Sequence, residues 1–290
     1  MLRKIVKGCA VLFALTAVFT GCSNDETEPT TASPDDSRLI RFTAGDGPAA
    51  TRTSTAFDGA TFQVMADHTT DNSTWAAYIP DVVATKSSSE WKTATSYYMP
   101  TAGTLKFYAY NSGSYTATHT AGTAPTITVT DMKTSKDDLL VAGPIDVAYT
   151  ASGTVAVEFS HAMAAVWFSG VTDGTISIAG LSNSGTYTIG TGWGSLGTAN
   201  TAYADLPLTG VGAITQNSPL LLIPQVLTGK TLTYSFTEGL TPVSLTTTLP
   251  TLSLEAGKRY ELQLNTTTMT VTVSISPWSN GGTDSDTIIL

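Results

Sequence analysis

Arg38-Leu-Ile-Arg-Phe-Thr-Ala44 alternates in polarity, with Ile40, Phe42 and Ala44 on one face and Arg41 and Thr43 on the other. A period of two is what a half-buried strand requires, because successive side chains leave the backbone on opposite sides. The next stretch, Gly45-Asp-Gly-Pro-Ala-Ala-Thr-Arg-Thr-Ser54, carries strong chain breakers and no apolar anchor. It reads as a loop that leaves Arg52 open to a protease of trypsin-like preference. Upstream, Ser23 to Ser37 is acidic, rich in Pro, Thr and Ser, and nearly free of apolar residues. Such a segment buries too little surface to offset the entropy of ordering, so it reads as a flexible leader, with the folded part starting near Arg38.

Downstream, short apolar runs recur between turn signals. Strands are expected at Ala60 to Ala66, Thr74 to Ile79, Ser96 to Met99, Thr104 to Tyr110, Thr126 to Thr130 and Leu139 to Ala142. Further strands are expected at Thr154 to Ser160, Ala164 to Ser169, Thr175 to Ala179, Thr186 to Ile189, Ala202 to Leu206, Pro219 to Ile223, Leu232 to Phe236, Val243 to Leu249, Tyr260 to Leu264 and Thr270 to Ser276. No long stripe of period 3.6 interrupts them, so the chain is expected to be all-β, built of sandwiches. Its length suits two in tandem, at residues 38–148 and 149–290, with Gly143-Pro-Ile-Asp146 and Tyr149-Thr-Ala-Ser-Gly153 read as the seam.

At the other end of the leader, Met1 to Lys7 is basic, Gly8 to Phe19 is apolar, and Phe19-Thr-Gly-Cys22 follows. This order marks an export signal rather than a membrane span. The last four residues resemble the bacterial lipoprotein signal, with Phe19 where Leu is commonest. That resemblance implies cleavage between Gly21 and Cys22, acylation of Cys22, and a leader of residues 22–37. Two or three acyl chains, at roughly 0.8 kcal/mol per buried CH₂, make a lasting outer-membrane anchor.

Charged residues are only 13% of the chain and the net charge is −9, so no basic face is available for a phosphate backbone and nucleic acid is not an expected partner. Of the two cysteines, Cys9 falls in the signal and Cys22 would carry lipid. That leaves none for a disulfide or a thiolate zinc site. His68, His119 and His161 are far apart and form no ligand pair, with His161 reading as a packed or hydrogen-bonded strand residue. Asp67 with Asp71, and Asp284 with Asp286, are weak oxygen-ligand candidates for Ca²⁺ that ordinary solvated loops explain as well. Gly192-Trp-Gly-Ser-Leu-Gly197 matches the dinucleotide fingerprint as a string, but no helix is expected after it to face a pyrophosphate. There is no G-x-S-x-G elbow. Neither a catalytic residue nor a cofactor is expected. A glycosidase would need a carboxylate pair at a set separation, and Glu158, Asp173, Asp205 and Glu255 are only candidates for one.

Several segments together resemble the fimbrillin family of Bacteroidetes, the pilins of type V pili. They are Leu39-Ile-Arg-Phe-Thr43, Ala49-Ala-Thr-Arg52, Leu105-Lys-Phe-Tyr-Ala-Tyr110, Lys136-Asp-Asp-Leu-Leu-Val-Ala142, Val157-Glu-Phe-Ser-His-Ala-Met163 and Leu254-Glu-Ala-Gly-Lys-Arg-Tyr260, leading to Ile275-Ser-Pro-Trp278. The resemblance implies two transthyretin-like β-sandwiches, a surface-exposed lipoprotein precursor and no enzyme activity. It also implies a first strand, with Leu39, Ile40 and Phe42, that is removed when an arginine-specific protease cuts at Arg52; Arg41 and Arg38 are rival cut sites. The vacated groove would then accept a carboxyl-terminal strand of the next subunit. The donor is Met269 to Ile275, with Val271, Val273 and Ile275, or the tip with Ile288, Ile289 and Leu290, or both. The implied partners are other fimbrial subunits and a host glycan or protein. A stalk, anchor or tip subunit, or a surface lipoprotein that never polymerises, shares the same pattern.

Overall fold

The computed structural model describes residues 36–46, 57, 59–111, 113–132, 137–149, 152–198, 201–278 and 288–289. After a single 3-10 turn at Asp36–Arg38, every described element is a strand. The first are β1 (Arg41–Asp46), β2 (Thr61–Thr69), β3 (Ala76–Ser87), β4 (Glu90–Thr93) and β5 (Thr104–Asn111). Then come β6 (Ala117–Thr118), β7 (Thr126–Val129), β8 (Leu140–Ala148), β9 (Thr154–His161) and β10 (Ala164–Ser169). They continue with β11 (Thr175–Leu181), β12 (Gly185–Thr188), β13 (Gly192–Leu196), β14 (Thr201–Pro207) and β15 (Leu220–Leu222). The last are β16 (Thr231–Glu238), β17 (Thr241–Thr248), β18 (Lys258–Asn265), β19 (Thr270–Pro277) and β20 (Ile288–Ile289).

Strands β1-β4-β3-β2-β5-β8-β9 close on themselves. Their alternating inward residues form one core, with Phe42, Phe62, Val64, Leu105, Phe107, Val155, Val157 and Phe159 at its centre. A sheet β15-β10-β18-β19-β20 and a sheet β14-β11-β16-β17 supply most of a second core, which includes Ile176, Ile178, Leu232, Tyr260, Leu262 and Val273. The architecture is all-β and of the β-sandwich class.

Chain neighbours do not always share a core. β6 and β7 follow β5 of the barrel but belong to another sheet, in the order β13-β12-β7-β6, where β7 pairs with β12. The division expected between residues 148 and 149 falls between β8 and β9, which are neighbours in one barrel. Gly143-Pro144, read as part of a seam, lies within β8, where the register to β5 shifts between Phe107 and Ala109. A bulge there accommodates a residue that cannot donate to the ladder. Pro80 is accommodated in the same way: β3 runs through it where the register to β2 shifts between Val64 and Ala66. Ser96 to Met99 forms no strand, only a bridge from Tyr98 to Leu39, while Glu90–Thr93 forms one.

Candidate functional site

The first strand is seated by both its faces and its edges. Phe42 is fully buried, with its ring edge-on to Phe62 at 5.8 Å and Phe107 at 6.0 Å. Ile40 is buried beside it and Leu39 half-buried, whereas Thr43 faces solvent. Along one edge, β1 runs parallel to β9 in register from Arg41↔Thr154 to Asp46↔Phe159. Along the other it meets β4 antiparallel at Phe42↔Trp91.

The entry to β1 is held by main-chain bonds. Ile40 N–H donates to Tyr97 O at 2.8 Å, and Met99 N–H to Arg38 O at 2.8 Å. Gly153 N–H donates to Ser37 O at 2.9 Å, and Gly153 O accepts from Arg41 N–H at 3.0 Å. Gly153 has no alternative, because a Cβ there would lie 2.1 Å from Leu39 O. The Arg38 guanidinium donates to Met99 O, and Arg41 pairs with Asp36 at 2.8 Å and Glu90 at 3.8 Å. These rim charges contribute about 0–1 kcal/mol each, so the apolar face and the ladder hold the strand.

At the carboxyl end, β19 pairs with β18 along its whole length, from Lys258↔Pro277 to Asn265↔Thr270. Val273 is buried there, and Val271 and Ile275 pack against the second core. Ile288 and Ile289 form β20 and pair with Ile275 and Ser274. The structure thus brings Leu39, Ile40 and Phe42 together in the barrel and puts Val271, Val273 and Ile275 in a different sheet. Gly21, Cys22, Arg52 and Leu290 lie outside the described residues.

A family profile described as fimbrillin-like matches residues 50–278, which is most of the chain. The chain belongs to the fimbrillin-like family. The match begins after β1. A cell-adhesion protein from Bacteroides uniformis has the same fold, with 18% identity, a TM-score of 0.58, and 85% of this chain and 100% of that one covered. A second, from Bacteroides ovatus, is 15% identical with a TM-score of 0.56, covering 84% of this chain and 98% of that one. No curated protein matches the sequence. Membership supports a fimbrial or adhesion-related role at the cell surface, in a family of structural and adhesive proteins.

In this fimbrillin-like chain the three histidines are packed side chains. His161 Nδ1 bonds to Asp138, and its ring stacks on Trp278 at 4.0 Å and 10°. His68 Nε2 lies 2.9 Å from Ala102 O. His119 Nε2 lies 3.0 Å from Asp67 Oδ2, which also accepts from Gly122 N–H at 2.9 Å. Asp67 is completely buried, and its charge helps push the Tyr108 phenol up, behind burial as the larger cause. Sequence reasoning missed this pair because its members are far apart in the chain. Asp67 secures the segment that leaves the barrel for β7, and Asp67→Ala is expected to cost about 2–3 kcal/mol in urea denaturation, since it removes two bonds to a buried carboxylate.

Asp71 is engaged separately. The Thr74 and Ser73 amides, with Thr69 Oγ1, hold its carboxyl well below the usual carboxylate range. Among the described residues no group of three His, Cys, Asp or Glu is placed to hold a metal ion; Asp284 and Asp286 are not among them. The glycine string at 192–197 lies in and just beyond β13, which forms an antiparallel hairpin with β12, and among the described residues no helix follows it.

A cleft of about 610 Å³ opens between the outer face of β8 and β9 and the tip of that hairpin. Its lining holds one carboxylate, Glu158, so it lacks the acid and base pair of a glycosidase.

Proposed function

We propose that this chain is the precursor of a structural fimbrial subunit, exported as a lipoprotein anchored through Cys22 and polymerised by strand exchange once its first strand is removed. The observation that carries the reading is the seat of β1: Ile40 and Phe42 fill a core they share with residues of β2, β3, β4, β5, β8 and β9. A departing β1 would leave a row of unpaired groups on β9 and apolar pockets at its side chains. An incoming strand satisfies both at once. Until then β1 covers the edge and holds the precursor monomeric.

The donor in this reading is the carboxyl-terminal region, Met269 to Ile275 or the segment ending at Leu290. Both are paired in one sheet, but the first is held along its whole length by β18 while Ile288 and Ile289 meet only Ile275 and Ser274, which favours the short terminal strand as the part that travels. The implied partners are other subunits, an arginine-specific protease acting at Arg52, the outer membrane through lipid, and a host surface. No catalytic role is assigned to any residue.

The test is limited digestion of the purified protein with an arginine-specific protease, followed by mass spectrometry and size analysis. One cut after Arg52 and slow growth of ladders are expected. A cut protein that stays monomeric would assign it instead to an anchor, a tip or a stand-alone adhesive lipoprotein.

A further inference from the structure

The cleft beside the β12–β13 hairpin has features that packing does not require. Its floor is the exposed face of β9, with Ala156, Glu158 and Ser160 in a row. One wall is Pro144 and Ile145 of β8, and the other carries Tyr187 and Thr191. The walls are fixed to each other: Gly190 comes so close to Pro144 that a Cβ would lie 2.5 Å from its Cδ, and its φ of 81° is one that favours glycine. Trp193 Nε1–H donates to Ala162 O at 2.6 Å and its ring meets that of Tyr187 edge-on at 5.4 Å, which sets the phenol in place.

Among the described residues, neither the Glu158 carboxylate nor the Tyr187 hydroxyl has a hydrogen-bond partner. Burial pushes the Tyr187 phenol up, so it stays a neutral donor at physiological pH. No Lys, Arg or His lines the cleft, and the chain carries net charge −9, so an anionic ligand finds no counter-charge there. A single carboxylate falls short of the six or more oxygens that Ca²⁺ takes.

We propose that this cleft binds a neutral saccharide, one pyranose unit wide. Such a ligand offers adjacent hydroxyls to the two oxygens of Glu158 and to Ser160 and Thr191, and it lays its apolar C–H face on Pro144, Ile145 and the Tyr187 ring. The volume lies in the range of small-molecule sites, and the rigid wall lowers the ordering cost of binding. The proposal does not rest on strand exchange, since the uncut monomer contains the whole cleft.

The experiment is saturation-transfer difference NMR on the intact monomer, with methyl glycosides of glucose, galactose, mannose and N-acetylglucosamine and with lactose as probes. At least one should show transfer, with a dissociation constant on the order of 1 mM. Ala156→Trp fills the cleft from an exposed strand position, and the signal should disappear while the melting temperature holds. Glu158→Gln and Tyr187→Phe serve if that variant does not fold, and each should weaken binding at least about fivefold, as the loss of one hydrogen bond implies. Absence of transfer from every probe, or transfer that survives these changes, overturns the proposal. So does displacement of the glycoside by pentalysine but not by a second glycoside, which would mark Glu158 as a contact for cationic peptides.

Discussion

Phe42→Ala is expected to lower the stability of the barrel by about 3–5 kcal/mol, the cost of emptying a large aromatic site in a core. Phe42 is fully buried, and its two edge-to-face partners, Phe62 and Phe107, come from strands on the far side of the core. Each such pair adds about 0.5–1.5 kcal/mol beyond area burial. A loss of this size is a large share of the roughly 5–15 kcal/mol available to a domain. Its second effect is specific to the position. Phe42 sits on the strand with the fewest partners on its β4 side, so the variant should release β1 and oligomerise slowly without any protease. Urea denaturation with size analysis checks both effects, and Phe42→Leu should recover most of the loss. A drop under about 1 kcal/mol would mean that β1 is not a core strand.

Gly153→Val is expected to unseat the start of β1 at a cost of about 3 kcal/mol. The added Cβ would lie 2.1 Å from Leu39 O, 2.5 Å from Leu39 C and 2.9 Å from Arg38 C. These are backbone atoms, so relief requires moving one chain away from the other. The Gly153–Ser37 and Arg41–Gly153 bonds then lengthen together. Overpacking of about 1–3 kcal/mol and two hydrogen bonds at about 0.5–1.5 kcal/mol each give the total. Amide exchange at residues 40 to 44 should accelerate far more than at β16, which belongs to the second core. Equal protection in the variant and the parent would remove Gly153 from the account of how the strand is held.

Both predictions concern one seat, and only half of that seat is visible in the amino-acid order. The alternation of Ile40, Phe42 and Ala44 marks a strand with a buried face, and Val155, Val157 and Phe159 mark another. Nothing local says that these two lie side by side and parallel, because that pairing spans more than a hundred residues and is set by closure of the barrel. Pro80 and Gly143-Pro144 look like strand ends but lie within strands, since a bulge lets the chain pass a residue that lacks a donor. β4 went unseen because Trp91 is its one deeply buried side chain, too little for a periodic signal. The Asp67–His119 pair and the cleft at Glu158 were illegible for a related reason: each joins residues whose meeting depends on how loops cross from one core to the other.

By itself, the sequence determined the all-β class, the place of the first strand and the family resemblance. Each of these is written in local periodicity, in composition, or in short motifs whose order survives without a structure. Tertiary structure alone decided which edge β1 occupies, which core each strand serves, and that β19 is already paired in its own sheet. Those are matters of long-range pairing, where hydrogen bonds are equally available to any exposed edge. The choice among edges falls to the shape of the core that the alternate side chains must fill.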